Sequence, residues 1–305
     1  MGFINYDVNR YTPKQMVAIP LVLLILSLAV LGYTLATTGM PVTPGMDFSG
    51  GTAVTVFTSD SPDSLSATFE GYPLISIGEG VSDGKYIKFG PMDDDSHQSL
   101  AALINERYPD AKIDQIGASF GETLQEQAAI ALVFSFIGMT IVVFLAFRTF
   151  VPSGAIVLAA FADIAMTAAV MNIIGMELTL PTTAALLMLI GYSVDSDILL
   201  TMRVLKRQGK LDEKLAGAFR TGIIMTTTTM SAVAAMWAVS YFGNIPVIPE
   251  ISAVLFIGLI IDLMNTWLTN AGIMKWYMLR RGGNVKETEE TSKVKVSPVK
   301  RKRSK

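Results

Sequence analysis

The chain has 305 residues, of which 51% are hydrophobic and only 16% are charged. This composition excludes an ordinary soluble domain, because a chain so apolar must be solvated by lipid. The absence of cysteine excludes disulfide frameworks, thiolate metal sites and cysteine nucleophiles. The formal net charge of -2 becomes informative only when the charges are divided by position along the chain.

The first long apolar run, 17–36, follows a basic start that contains Arg10 and Lys14. A basic start also precedes the apolar part of a secretory signal peptide, but that part has only about 7 to 15 residues. The run here has about 20 residues, which is the length needed to cross a bilayer. No small-residue cleavage site follows it before Pro41 and Pro44. We therefore predict that residues 1–36 comprise the N-terminus and an uncleaved first membrane span.

Five further runs have the length and apolar character of membrane spans. They lie at 128–147, 153–174, 180–202, 221–241 and 251–276. The sequence thus predicts an α-helical polytopic membrane protein with six spans, the last five within residues 128–280. Six is an even number, so both termini are predicted on the same side of the membrane.

The positions of lysine and arginine predict which side this is. Of the 24 basic residues, 20 fall in four segments on one predicted side, namely the amino terminus, the loop at Arg148, residues 203–220, and Lys275 onward. Basic residues near the ends of spans are retained in the cytoplasm. Both termini are therefore predicted to be cytoplasmic, in a multi-pass protein of the cell (plasma) membrane. The lysine-rich tail, 281–305, is expected to be disordered.

Residues 37–127, between the first two spans, are predicted to form an exterior domain. From Asp47 to Glu126 this segment has 14 acidic residues against four basic ones. Such an acidic surface excludes nucleic acid as a partner. The acidic run 93–95 precedes a predicted helix, so we interpret it as a solvated loop that ends in a helix N-cap rather than as a metal site.

Alternation and capping signals predict the fold of this domain. They indicate strands at 53–57, 74–77, 86–89 and 111–118, and helices at 62–70 and 96–107. The order βαββαβ is typical of an α+β ferredoxin-like fold, in which two helices cover one face of an antiparallel sheet.

Four carboxylates fall inside predicted spans, where each costs at least about 2.5 to 3.5 kcal/mol on insertion scales. They are Asp163, Asp195, Asp197 and Asp262. Asp195 and Asp197 lie roughly 200° apart around a helix, so they cannot face the same partner. We favour Asp197 as the residue that lines a polar seam between helices, because it lies on the same helical stripe as Ser193 and Thr201. The four carboxylates either relay protons or are held permanently by a partner helix or subunit.

The fifth predicted span begins at Arg220 and Thr221 and then contains a cluster of hydroxyl residues, which are Thr226, Thr227, Thr228, Thr229 and Ser231. These hydroxyls either line a hydrated path or bond their own backbone and neighbouring helices. We expect Arg220, at a helix mouth, to reach an aspartate of the fourth span. Arg203 is expected to be a cytoplasmic anchor of that span.

The segment 45–52, Gly-Met-Asp-Phe-Ser-Gly-Gly-Thr, resembles the box that opens the exterior domain in SecD and SecF proteins. Within it we single out Asp47, Phe48, Gly50, Gly51 and Thr52. The two glycines are expected to allow positive φ or a close backbone approach, and Asp47 to bond amides of its own turn.

Two further segments are similar to the same family. They are 191–197, Gly-Tyr-Ser-Val-Asp-Ser-Asp, in the fourth span, and Arg220-Thr221 at the start of a threonine-rich fifth span. The resemblance extends from residue 1 to about residue 280. In an ungapped match the asparagine of the bacterial pattern falls on Asp195 and its aspartate on Ser196, and Asp197 is additional, as in archaeal relatives. Ala162 takes the position of a histidine that precedes Asp163 in bacterial relatives.

The resemblance implies an accessory subunit of protein export that acts with SecD, the Sec channel, the exported polypeptide and membrane lipid, with proton flow as an energy source. Its proton-relay candidates are Asp197, Asp195, Arg220, Asp163, Asp262 and Thr221. The alternative is half of an RND-type exporter of small molecules or lipids, although such transporters usually carry both halves on one chain. The sequence has neither a Walker loop nor the paired motifs of an intramembrane aspartyl protease, so we expect no enzymatic activity, cofactor or metal.

Overall fold

The computed structural model describes residues 11–79, 84–243, 245 and 247–281. The helices in chain order are Pro13–Thr38 (α1), Met46–Ser49 (α2), Pro62–Thr68 (α3), Asp94–Arg107 (α4), Ala118–Phe147 (α5), Phe150–Ile174 (α6), Leu180–Lys206 (α7), Leu211–Phe242 (α8) and Ile248–Met264 (α9). The last helix continues beyond α9 through a π-helical segment, Asn265–Asn270, to Arg281.

Six helices in the described part of the chain are long and apolar enough to cross a membrane, namely α1, α5, α6, α7, α8 and the helix Ile248–Arg281. Each of the six predicted runs falls inside one of them, which confirms the prediction of six spans. The predicted disordered tail, 281–305, lies outside the described residues except for Arg281.

Two of these helices begin much earlier than the apolar runs that predicted them. α5 begins at Ala118 and α8 at Leu211, each ten residues before the predicted start. The added residues include Glu, Gln, Lys, Ala and Leu, which are strong helix formers although they are not all apolar. A hydropathy pattern therefore marks the apolar part of a helix, whereas the helix itself extends beyond that part.

Local capping explains where α1 and α7 begin. Thr12 accepts a hydrogen bond from the Gln15 amide, and the Gln15 side chain accepts one from the Thr12 amide. Thr179 and Thr182 form the equivalent reciprocal pair at the start of α7. Such capping boxes satisfy amides that the first helical turn leaves without partners.

The domain between the first two spans contains four strands, Gly51–Phe57 (β1), Leu74–Glu79 (β2), Gly84–Phe89 (β3) and Lys112–Ile116 (β4). With α3 and α4 they follow the predicted order βαββαβ. The sheet is antiparallel with strand order β2-β3-β1-β4. β1 is therefore central, and its register pairs Val54 with both Ile87 and Ile113.

The core of this domain lies between the sheet and the two helices. Its fully buried side chains are Val54, Val56, Leu65, Phe69, Ile87, Phe89, Leu100 and Ile104. Phe69 packs edge-on against Phe89, with ring centroids 5.3 Å apart. Burial of these apolar groups supplies the main stabilisation of the domain.

The acidic run provides the N-cap of α4 as predicted, but only its first residue precedes the helix, which begins at Asp94 rather than at residue 96. Asp93 is the N-cap, and its carboxylate accepts a hydrogen bond from the Ser96 amide at 3.2 Å. Hydrogen bonding with Ser96 lowers the pKa of Asp93. Asp94 and Asp95 lie in the first turn, where negative charge interacts favourably with the helix dipole.

Within the membrane bundle, α6 packs against α1, α5, α7 and α9. Its buried surface consists largely of small side chains, including Ala155, Ala159, Ala160, Ala162, Ala165, Ala168 and Ala169. Small side chains let neighbouring backbones approach closely. This central helix therefore brings the interior faces of the neighbouring spans together.

We expect Phe89→Ala to destabilise the α+β domain by about 3 to 5 kcal/mol, because it removes a fully buried ring and leaves a cavity. Phe57→Ala is the matched control, since Phe57 lies at the end of β1 and is 49% exposed. Hydrogen exchange of the full-length protein, followed at the amides of β1, measures the free energy of opening. Equal protection in the two variants would contradict the assignment of this core.

Candidate functional site

Three carboxylates meet in the interior of the bundle, Asp163 on α6, Asp197 on α7 and Asp262 on α9. Each is at most 1% exposed. The three helices pack against one another, so the cluster lies where three spans meet. Three of the four predicted intramembrane carboxylates are thus brought together.

Asp163 is held by one donor from each of two neighbouring spans. The Ser193 hydroxyl on α7 donates to its Oδ2 atom. Nδ2 of Asn265 donates to its Oδ1 atom at 2.7 Å. Asp163 therefore joins α6 to both α7 and the last span through hydrogen bonds.

Asp197 and Asp262 share a donor. Oγ1 of Thr266 lies 3.0 Å from Oδ1 of Asp197 and 3.2 Å from Oδ1 of Asp262. A hydroxyl has one proton, so Thr266 donates to one of these carboxylates at a time. Nδ2 of Asn270 donates to Oδ1 of Asp197 at 2.8 Å, and Oγ of Ser196 lies 3.2 Å from Oδ1 of Asp262.

Most of these donors come from the π-helical segment Asn265–Asn270. A π-helix bonds residue i to i+5 and widens the turn, and such segments often occur at functional sites. Asn265, Thr266 and Asn270 are all fully buried. These residues are not among the predicted site residues, although two asparagines and two threonines within an apolar span indicate a polar site.

The cluster concentrates acidic groups without a basic partner. Among the described residues, no lysine or arginine forms an ion pair with Asp163, Asp197 or Asp262, and Oδ2 of Asp197 has no hydrogen-bond partner. Carboxylates this close in a medium of low dielectric cannot all be ionised. Within the same residues, no group of three or more acidic, histidine or cysteine side chains is arranged to hold a metal ion.

Asp195 lies on the opposite face of α7 and points out of the bundle. Its side chain is exposed, as are those of Met188 and Tyr192 and the surface at Gly191. The two-residue offset from Asp197 accounts for this separation. Asp195 therefore does not join the buried cluster.

The expectation that Arg220 lies at a helix mouth is wrong, because α8 begins nine residues earlier, at Leu211. Arg220 is exposed, and it makes no ion pair with an aspartate of α7 among the described residues. Thr221 donates to the Gly217 carbonyl of its own helix at 3.3 Å. Arg203 instead links α7 to α8, since its Nη1 donates to the same carbonyl at 2.6 Å.

The hydroxyl residues of α8 bond their own helix. Thr227, Thr228, Thr229 and Ser231 each donate to a backbone carbonyl three or four residues earlier. Thr226 is the buried member of the series, at 6% exposure. In the described structure these four hydroxyls are therefore satisfied by their own helix, and none of them hydrogen-bonds a carboxylate of the cluster.

Comparison with known proteins gives consistent matches. Residues 96–280 match the family model described as "Protein export membrane protein SecD/SecF, C-terminal". The protein-export membrane protein SecF of Methanolacinia petrolearia is 59% identical over 93% of this chain and 100% of the relative, and that of Haloferax volcanii is 42% identical over 89% and 94%.

A solved structure has a similar fold. It is SecDF, a translocon-associated membrane protein from Thermus thermophilus, with a TM-score of 0.66 and 22% identity. The match covers 90% of this chain and 40% of that one.

The chain belongs to the SecD/SecF family of protein-export membrane proteins. The segment through which it resembles this family, 45–52, forms α2 and the start of β1. Phe48 and Thr52 are buried, and Gly50 and Gly51 have φ angles of 76° and 146°. A Cβ on Gly51 would lie 2.5 Å from the Phe89 carbonyl oxygen, so both the predicted positive φ and the predicted close approach occur here.

Asp47 differs from its prediction. Its Oδ2 accepts a hydrogen bond from the Leu180 amide at 2.8 Å, and no hydrogen bond to an amide of its own turn is present among the described residues. The carboxylate thus contacts the first residue of α7, which lies 133 positions later in the chain.

In this SecD/SecF family member, the two positions that match the bacterial asparagine and aspartate of the fourth span differ in burial. Asp195, which matches the bacterial asparagine, is exposed, whereas Ser196, which matches the bacterial aspartate, is buried and bonds Asp262. The additional Asp197 completes the cluster.

We expect Thr266→Val to destabilise the protein by about 1 to 3 kcal/mol, because it removes a hydrogen-bond donor that two buried carboxylates share. Thr227→Val makes the same chemical change on an exposed face of α8 and should cost less than about 0.5 kcal/mol. Unfolding of the two variants in the same detergent measures the difference. A loss of the same size in both would show that the hydroxyl of Thr266 has no special role.

Proposed function

We propose that this chain is an accessory subunit of Sec protein export, which promotes passage of polypeptides across the cell membrane without being an enzyme. The names of its relatives, aligned over most of both chains, support this assignment. The distribution of basic residues supports cytoplasmic termini and an exterior α+β domain over residues 37–127. The strand order of that domain supports a ferredoxin-like fold. This domain would contact the exported polypeptide.

The export step is proposed to be coupled to proton flow at the cluster of Asp163, Asp197 and Asp262. The observation that carries this proposal is the burial of three carboxylates on three spans, with no lysine or arginine among the described residues that forms an ion pair with them. Such a cluster must share protons. Oδ2 of Asp197, which has no described hydrogen-bond partner, is the best position to receive one.

Gain and loss of a proton would change how the spans are held together. Loss of a proton from Asp197 places negative charge beside Asp163 and Asp262, which makes ionisation of either of them less favourable. Thr266 donates to either Asp197 or Asp262, so the charges on these two carboxylates decide which of them accepts the hydrogen bond. Each protonation state thus favours its own packing of α7 against α6 and α9.

A SecD-type subunit is proposed to cover the face of α7 that carries Asp195. A carboxylate exposed to lipid is costly, so it requires a protein partner. The small residues Ala184 and Gly191 are also exposed on this face and would permit close helix packing. Asp195 would therefore act in subunit pairing, and Asp197 in proton transfer.

We expect Asp197→Asn to reduce secretion of a reporter protein at least ten-fold, because it removes the proton-binding group, while its abundance and its co-purification with SecD stay unchanged. Asp195→Asn should reduce co-purification first and secretion only as a consequence. Normal secretion from Asp197→Asn at normal abundance would refute the proposed coupling.

A further inference from the structure

The first turn of α7 is held by the segment that leads into the α+β domain. The amide of Leu180, the first residue of α7, donates to Oδ2 of Asp47 at 2.8 Å. Amides at a helix start have no partner within the helix, and the helix dipole favours negative charge there. Asp47 thus supplies, from outside the helix, a hydrogen-bond acceptor for the first amide of α7.

Backbone pairing fixes the same two segments side by side. Pro44 and Leu178 form a parallel bridge. The Leu178 amide donates to the Thr43 carbonyl at 2.8 Å, and the Gly45 amide donates to the Leu178 carbonyl at 2.8 Å. The Asp47 contact therefore extends a short β-type pairing onto the helix itself.

The sheet reaches the same region through an ion pair. Nζ of Lys88, on β3, lies 3.2 Å from Oε2 of Glu177. Glu177 lies three residues before Leu180, in the segment between α6 and α7. The α+β domain is thus joined to the start of α7 by backbone bonds, an ion pair and the carboxylate of Asp47.

The second half of α7 carries two of the donors and one of the three acids of the buried cluster. Asp197 lies 17 residues after Leu180, or about 26 Å along the helix axis. On the same helix, Ser193 bonds Asp163 and Ser196 bonds Asp262. An uninterrupted helix transmits a tilt or shift at its start to all three residues.

We propose that Asp47 is a positioning residue for the carboxylate cluster. It fastens the start of α7 to the α+β domain, so that a displacement of the domain by polypeptide moves Ser193, Ser196 and Asp197 relative to α6 and α9. This inference rests on the proposed proton-coupled export function. It adds that movement of the α+β domain acts on the carboxylate cluster through α7.

The experiment uses the full-length chain, co-expressed with SecD, and measures reporter secretion over a range of pH. Asp47→Ala should reduce secretion about five-fold, as expected for loss of a partly exposed hydrogen bond to a charged group, and should shift the pH profile. Asp94→Ala is the matched control, because Asp94 is an exposed aspartate in the first turn of α4. A merely structural defect would lower the amount of protein without moving the profile.

A covalent tether provides the rescue. The chain has no cysteine, so Pro44→Cys with Leu178→Cys introduces one defined pair. Bridged strands lie about 4.8 Å apart, within disulfide range. In the Asp47→Ala background, oxidation of this pair should restore secretion and the original profile, and a reductant should abolish both.

The outcomes separate this inference from the proposed function. Wild-type secretion with an unshifted profile in Asp47→Ala overturns the role of Asp47, even if Asp197→Asn is inactive. Lost secretion that the disulfide does not restore also overturns it. If Asp47→Ala fails to accumulate, Asp47→Asn, which keeps an acceptor oxygen but no charge, decides the question by whether its pH profile moves.

Discussion

The hydrogen bonds that hold Asp163, Asp197 and Asp262 are the constraint on which the packing of the membrane bundle depends. A carboxylate buried in hydrocarbon requires donors or a proton. Here α7 and the π-helical segment supply the donors. Because the donors and acids lie on different spans, satisfying them fixes α6, α7 and the last helix relative to one another. In the proposed mechanism, the same dependence makes that arrangement sensitive to protonation.

In the proposed mechanism, α7 transmits this sensitivity along its length. At one end the helix begins against Asp47 and the bridge between Pro44 and Leu178. Near its middle it meets the cluster, and on its outer face it presents Asp195. One helix therefore connects the α+β domain, the titratable interior and a surface available for a partner subunit. This arrangement gives a physical route by which proton transfer and polypeptide movement would be linked.

Apolar runs and alternation were sufficient to predict the six spans and the order βαββαβ, because length and periodicity are local properties. The inward position of Asp197 followed from its stripe with Ser193. The helix starts at Ala118 and Leu211 were missed, since polar helix formers carry a helix beyond the hydrophobic core.

Long-range contacts could not be predicted from local patterns. The bond from Leu180 to Asp47 joins positions 133 apart, and a π-helical turn has no clear local signal. Arg220 was expected beside an aspartate because its helix was assumed to start there.

The central claim is that the buried carboxylates exchange protons while the protein is in the membrane. Infrared difference spectroscopy of the protein in lipid, recorded across a pH titration, observes the carboxylic acid band directly. The account predicts a band that changes with pH in the wild-type protein and loses that change in Asp197→Asn. A spectrum in which this band does not respond to pH, or responds identically in Asp197→Asn, would contradict it.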